Sequence, residues 1–232
     1  MDQSLKPVDV VYGSSLSGER QRVLRNTYAL LALSMVPTVL GAWLGVQMGF
    51  SFFGGSPLIG FIAFMAISMG FFFAIEKFKN SGMGVVLLLG FTFFMGLMLS
   101  RLIGSVLGFS NGGQLIALAF GGTGAVFVAM ATMASTMKRD VSNMGKWLTM
   151  GVIVLMLAIV ANIFLQLPAL MLTISALAVV IFSAFILYDL KRIIDGGETN
   201  YVTATLAIYL NVYNVFQSLL SILGIVGGNN DD

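Results

Sequence analysis

The residue whose chemistry stands out in this sequence is Asp189, an acidic side chain placed directly after a long apolar run. A carboxylate at the edge of the hydrocarbon is costly unless water, a cation or a partner meets it. Such a group could bind a hard cation through oxygen, or change charge with pH because desolvation disfavours its charged form. The segment that it opens, DLKRIIDGGETNY, is the most polar interior part of the chain and also contains Lys191, Arg192, Asp195 and Glu198.

A second polar group follows further along the chain, in the apolar run after that segment. Its members recur every three or four residues, which places them on one face of a helix: Asn211, Asn214, Ser218 and Ser221. Facing lipid, these amides would be unsatisfied, so we expect them to face the interior, either as interhelical hydrogen bonds or as the wall of a polar cavity. One hypothesis is a protonation-sensitive latch of Asp189, Asn211 and Asn214. The alternative is that Asp189 pairs with a base: Lys191, Arg192 or Lys77.

Several classes of chemistry are excluded by the residues that the chain lacks. It contains no Cys and no His, which removes disulfides, thiol catalysis, imidazole acid–base chemistry and the usual zinc ligands. An intramembrane aspartyl protease needs two carboxylates, and no second Asp lies in an apolar run. We therefore predict a protein that is not an enzyme and has no cofactor and no firm metal site, with Asp189 as the only candidate site for a cation or a proton.

The composition indicates a protein that is solvated mostly by lipid. Apolar residues make up 58% of the 232 residues, charged residues make up 9%, and the mean hydropathy is +0.96. A membrane-spanning helix needs about 20 apolar residues. The sequence predicts an all-α bundle of seven spans: Tyr28–Val46, Pro57–Ile75, Met83–Leu107, Gly113–Met137, Trp147–Leu165, Ala169–Tyr188 and Val202–Val226. The link Gln166–Pro168 is so short that it makes the fifth and sixth helices antiparallel neighbours.

The basic residues predict the orientation of these spans. Every Lys and Arg except Arg101 falls in the N-terminal tail or in a connection on the same side. The positive-inside rule then places the N-terminus in the cytosol and the C-terminus in the periplasm. We expect a polar, unstructured cytosolic tail at 1–25, a transmembrane domain at 26–228 and an acidic end at 229–232. Arg101 is expected to snorkel to the far surface. Alternatively, Arg101 forms an ion pair or gates an opening. Asp195 and Glu198 are candidates for the same two roles.

Small residues spaced four apart predict close helix packing, because lipid provides no hydrophobic drive for helices to associate. We expect these faces to pack within the bundle, and a homodimer seam stays open as an alternative. They are Ala66, Gly70 and Ala74 in the second span, Gly96, Ser100, Gly104 and Gly108 in the third, and Ala117, Gly121, Ala125 and Ala129 in the fourth.

Several longer motifs resemble one protein family over nearly the whole chain. Seven spans, a Tyr-Asp pair ending the sixth and the aromatic-rich seventh run IYLNVYNVFQSLLSILG are similar to the Bax inhibitor-1 family. ANIFLQLPAL (161–170), IIDGGETNY (193–201), YNVFQSLLSILG (213–224) and VLRNTY (23–28) resemble its bacterial YccA-like subgroup. The resemblance implies a seven-helix bundle with a central seventh helix.

The resemblance also implies a function and a location. YccA-like proteins are multi-pass proteins of the bacterial inner membrane that modulate the ATP-dependent membrane protease FtsH, which would engage the tail 1–25. Other branches are pH-sensitive calcium leaks that use two aspartates. Asp189 matches the first aspartate, whereas Asn211 stands in place of the second and cannot titrate. The expected function is therefore inhibition of FtsH, and the alternative is a calcium or cation leak gated near Asp189. The net charge of +2 gives no reason to expect nucleic-acid binding, and self-association stays open.

Overall fold

The computed structural model describes residues 7–52 and 57–227, with side chains for all of these except 7–17 and 57. Within these ranges it contains no strand, and the seven predicted spans are present as helices. Their bounds are α1 Pro7–Gln47, α2 Pro57–Phe78, α3 Gly82–Leu107, α4 Gly112–Thr136, α5 Met144–Leu165, α6 Pro168–Asp195 and α7 Tyr201–Gly227. All seven contain a stretch long and apolar enough to cross a membrane. The predicted acidic end, 229–232, lies outside the described residues.

The helix α1 begins much earlier than the sequence predicted. It runs for 41 residues from Pro7, a length of about 60 Å at 1.5 Å per residue, which is about twice the thickness of the hydrocarbon layer. The expectation of an unstructured tail is therefore wrong for residues 7–25. These residues lack an apolar period of their own, but they continue a helix whose Val23 is already buried in the core.

The helix α7 lies at the centre of the bundle, as the resemblance implied. It packs against α1, α2, α3, α4 and α6. Its interior face buries apolar and polar side chains together, including Ile208, Val215, Asn211, Ser218 and Ser221. The predicted inward orientation of the polar stripe is therefore confirmed at these three polar positions.

The backbones of α1 and α3 approach each other closely. A Cβ added at Gly41 would collide with the carbonyl oxygen of Phe93, and one added at Gly96 would collide with the carbonyl oxygen of Thr38. One helical turn on, a Cβ at Gly45 would meet the side chain of Ser100. The predicted packing role of the small residues in the third span is confirmed at Gly96 and Ser100.

The same prediction is wrong for α4 and for most of the α2 set. The small residues Ala117, Gly121, Ala125 and Ala129 are exposed, and no atom lies within 4 Å of a Cβ built at Gly121. On α2, Ala66 and Gly70 are exposed as well. The residues that α4 buries lie on another face and include Leu115, Ala119 and Thr123, so the spacing of small residues does not by itself identify a contact face.

The hairpin of α5 and α6 has the short connection that the sequence predicted. Gln166 adopts a left-handed conformation with φ of 52° after the last residue of α5, and Asn162 accepts a hydrogen bond from the backbone N–H of Leu167 at 3.0 Å. Pro168 then opens α6, a position where its fixed φ is suited to a helix start. The helix α5 packs mainly against α6 and buries little of its own surface.

Candidate functional site

Asp189 and Asn211 form a direct contact between α6 and α7. The Asn211 Nδ2 donates a hydrogen bond to Asp189 Oδ2 at 2.7 Å, and Asn211 is 7% exposed. The pair forms because the two helices are antiparallel neighbours joined by only five residues, 196–200. No ion pair among the described residues includes Asp189. The predicted approach of the carboxylate to this amide is confirmed, whereas the alternative of a simple salt bridge is not observed.

Asn214 does not join this contact, although the latch hypothesis included it. Its Nδ2 donates to the backbone carbonyl of Leu210 at 2.7 Å, within α7, and the residue is half-buried. The amide is therefore satisfied by its own helix. Among the described residues, Asn211 is the member of the polar stripe that bonds to Asp189.

A small cavity lies beside Asp189. Its volume is about 20 Å³, and it is lined by Asp189, Arg192, Ile193, Glu198, Ala204 and Ala207. This volume is enough for about one water molecule. Two carboxylates and one guanidinium thus line a space with room for little more than one small ligand. No group of three His, Cys, Asp or Glu residues with metal-binding geometry is found in the described part of the chain.

The end of α6 explains why Asp189 lies within a helix and not, as predicted, at its end. Gly196 adopts φ of +83°, and its N–H donates to the carbonyl of Ile193 at 3.1 Å. The N–H of Gly197 donates to the carbonyl of Arg192 at 2.8 Å. This Schellman arrangement ends the helix at Asp195, because glycine tolerates the left-handed conformation. Arg192, the base in the last turn, favours this ending through the helix dipole.

The charged residues of this last turn form their own pairs. Lys191 is 8% exposed and its Nζ donates to Asp195 Oδ1 at 2.7 Å. Arg192 donates from Nη2 to the carbonyl of Gly197 at 3.3 Å and lies 4.0 Å from Glu198 Oε2. The pairing roles predicted for Asp195 and Glu198 thus correspond to contacts in the structure.

Asn200 connects the α6–α7 loop to the α2–α3 loop, a role that the sequence analysis missed. Its Oδ1 accepts hydrogen bonds from the N–H groups of Val202 and Thr203, which caps the start of α7. Its Nδ2 donates to the carbonyl of Lys79 at 3.2 Å and to Asn80 Oδ1 at 2.8 Å. The Asn before an apolar run is a recognisable capping signal, but its second partner is far away in sequence.

The α6–α7 loop also contacts the early part of α1. The guanidinium of Arg20 lies so close to Gly196 that a Cβ there would come within 2.7 Å of Nε and 2.9 Å of Cζ. This places a positive charge beside the carboxyl end of α6, where the helix dipole favours a cation. The protruding end of α1 is therefore in contact with the loop that borders the Asp189 cavity.

Arg101 lies apart from this site. It is exposed near the far end of α3, and the ion pairs of the described residues do not include it. This placement agrees with a snorkelling side chain. No hydrogen bond or ion pair in the described ranges connects it to Asp189.

Two buried tyrosines of α7, also missed from the sequence, hold the centre of the bundle. The hydroxyl of Tyr209, a residue 1% exposed, lies 2.8 Å from Thr38 Oγ1 and donates to the carbonyl of Thr92 at 3.4 Å. The hydroxyl of Tyr213 donates to the carbonyl of Met95 at 3.1 Å. These bonds attach α7 to α1 and α3 at positions that an aromatic-rich pattern alone does not reveal.

Comparisons with known proteins agree with this architecture. Residues 20–228 match the family described as Inhibitor of apoptosis-promoting Bax1. A protein of Escherichia coli K12 named Modulator of FtsH protease YccA is 39% identical over 88% of this chain and 90% of its own length. An uncharacterized membrane protein of Vibrio cholerae is 38% identical over 91% of this chain and 93% of its own length.

A further relative bears on location. The Escherichia coli O6:H1 protein named Inner membrane protein YccA is also 39% identical over 88% of this chain and 90% of its own length. Together with seven apolar helices, this indicates a multi-pass protein of the bacterial inner membrane. The family match covers most of the chain and the relatives align along nearly their whole length, so this chain belongs to the Bax inhibitor family, Inhibitor of apoptosis-promoting Bax1.

Proposed function

We propose that this chain is a non-enzymatic regulator that binds the ATP-dependent membrane protease FtsH and restrains its action on other membrane proteins. The observation that carries the proposal is the near full-length similarity to the relative named as a modulator of FtsH.

The protruding end of α1 is the part that we propose FtsH contacts. The basic residues around it favour a cytosolic position for this end of the bundle. Residues 18–22 include exposed side chains on a helix that extends beyond the thickness of the membrane, whereas Val23 and Thr27 are buried against the bundle. A partner could therefore contact this helix up to about residue 22. The buried core of the bundle begins at the next residue.

The test is co-purification with FtsH from detergent, together with the rate at which FtsH degrades a membrane-protein substrate in vesicles. The deletion should remove residues 1–22, because it takes away the exposed residues up to 22, whereas a deletion to 25 would also remove the buried Val23 and disturb the fold. We expect the full chain to bind FtsH and slow degradation, and the shortened chain to lose both effects. Absence of FtsH binding by the full chain would contradict the proposal.

A second candidate function is a pH-sensitive calcium or cation leak with Asp189 at its gate. What favours it is the small cavity beside Asp189 and the hydrogen bond that closes Asp189 onto Asn211. The test is calcium flux through vesicles containing the chain, measured across a range of pH, with Asp189→Asn as the variant. Flux that depends on Asp189 would support the leak, and flux equal to that of empty vesicles would rule it out.

A further inference from the structure

The connection between α4 and α5 displays three bases that form no ion pair with any residue that the structure describes. Lys138 and Arg139 are exposed in this connection, and Lys146 is exposed in the first turn of α5. None of the three belongs to an ion pair among the described residues. Three unpaired positive charges therefore lie together at one end of a membrane-spanning helix.

The acid of this connection does not neutralise them. Asp140 Oδ1 accepts hydrogen bonds from the Ser142 hydroxyl at 2.5 Å and from the Ser142 backbone N–H at 2.8 Å. These two bonds lower the pKa of Asp140, so its carboxylate stays ionised and is occupied within its own turn. Bases outnumber this acid, and the local charge stays positive.

The loop is held in place, and an aromatic side chain lies beside the bases. Val141 is 7% exposed and anchors the middle of the connection to the bundle. Trp147, next to Lys146, is 74% exposed in the first turn of α5. Exposed Trp residues at the ends of membrane spans prefer the level of the lipid headgroups, where the ring meets both apolar and polar groups.

We propose that Lys138, Arg139, Lys146 and Trp147 form a binding surface for anionic phospholipids, called here the α4–α5 basic surface. The partner is a lipid because Trp147 lies at the end of an apolar span, where headgroups surround it. Phosphate groups of anionic lipids complement the three bases, because basic residues close to an anionic membrane surface are attracted to it. The helix α5 has few protein neighbours, so the bound lipids would form much of its surroundings.

The chain provides its own reporter for a test, because it contains two Trp residues, Trp43 and Trp147. Trp43→Phe leaves Trp147 as the fluorophore beside the proposed surface. The full chain is reconstituted in mixed phosphatidylcholine and phosphatidylglycerol vesicles in which either lipid, but not both, is brominated. We expect brominated phosphatidylglycerol to quench Trp147 about twofold more than brominated phosphatidylcholine does at the same mole fraction.

Removing the charges gives the decisive comparison. The combined change Lys138→Gln, Arg139→Gln and Lys146→Gln should make the two lipids equally effective quenchers. Raising the ionic strength to about 0.5 M should do the same in the protein that keeps its bases, because salt screens exposed charges, and this measurement does not depend on the folding of the charge variant. Equal quenching at low salt, or a phosphatidylglycerol preference that persists through either change, would overturn the proposal.

Trp147→Phe provides the matched control, with Trp43 as the remaining fluorophore. Trp43 is exposed near the opposite end of the bundle, where Arg101 is the base carried by the neighbouring part of α3. We expect a clearly weaker preference for phosphatidylglycerol there. A preference as strong at Trp43 as at Trp147 would overturn the assignment of lipid binding to the α4–α5 basic surface.

Discussion

Asp189 on α6 and Asn211 on α7 are joined by a 2.7 Å hydrogen bond whose donor is the Asn211 amide. The two residues are 22 positions apart in sequence, yet they meet because a five-residue loop turns α6 directly into α7. The carboxylate is thereby directed to the centre of the bundle and not toward lipid.

Removing this amide should weaken the attachment of α6 to α7. We expect Asn211→Ala to lower the free energy of unfolding by about 1–3 kcal/mol, because the buried carboxylate loses its hydrogen-bond donor. Thermal unfolding in detergent measures the effect. Asn214→Ala is the matched control and should cost less, since Asn214 bonds only to its own helix. Equal losses in the two variants would contradict the assigned role of Asn211.

The backbone contact between α1 and α3 should be sensitive to a single methyl group. Gly96→Ala places a Cβ against the carbonyl oxygen of Thr38, so we expect a lower unfolding temperature and a loss of about 1–3 kcal/mol from overpacking. Gly121→Ala adds the same methyl group to the exposed face of α4, where nothing lies within 4 Å. It should be neutral or slightly stabilising, because Ala favours a helix by about 1 kcal/mol relative to Gly.

The protein should also be sensitive to substitution of Gly196, the left-handed residue that follows α6. Gly196→Ala forces a side chain into φ of +83° and against the guanidinium of Arg20, so we expect a loss of at least about 1 kcal/mol. Gly197→Ala should cost less, because its Cβ would meet no atom closer than the Arg192 carbonyl oxygen at 3.5 Å. In an Arg20→Ala background the cost of Gly196→Ala should fall, which a double-mutant cycle of unfolding temperatures would measure.

The hydroxyl of Tyr209 offers a test of the central polar contacts. Tyr209→Phe keeps the ring but removes the group that meets Thr38 and the carbonyl of Thr92, and we expect a loss of about 1 kcal/mol. Tyr201→Phe is a suitable control, since Tyr201 is only half-buried and its hydroxyl makes no hydrogen bond within the described residues. Unfolding midpoints that are equal for the two variants would argue against a role for the Tyr209 hydroxyl.

The number of spans and the central pair were predictable because each depends on local rules. A run of about 20 apolar residues has few alternatives to a membrane helix, and a short loop makes its two helices neighbours. The proximity of Asp189 and Asn211 could therefore be predicted from their spacing in the sequence. The inward direction of Asn211, Ser218 and Ser221 followed from the cost of an unsatisfied amide in lipid.

The remaining contacts depend on neighbours that are distant in sequence. The small residues at Gly96 and at Gly121 have similar spacing, and only the three-dimensional packing reveals that the first meets α1 while the second meets no other helix. The length of α6 was underestimated because polar residues suggested a loop, whereas Gly196 sets the actual end of the helix. The link from Asn200 to Lys79 has no local signal at all.

The seam between α1 and α3 has a consequence for how the protein is made. The two helices meet backbone to backbone at Gly41 and Gly96, while α2 lies between them in the chain and packs against α3. A ribosome releases the spans one after another. The helix α1 is therefore inserted before α3 is made. Its glycines Gly41 and Gly45 stay uncovered in the bilayer until α3 emerges and packs against them.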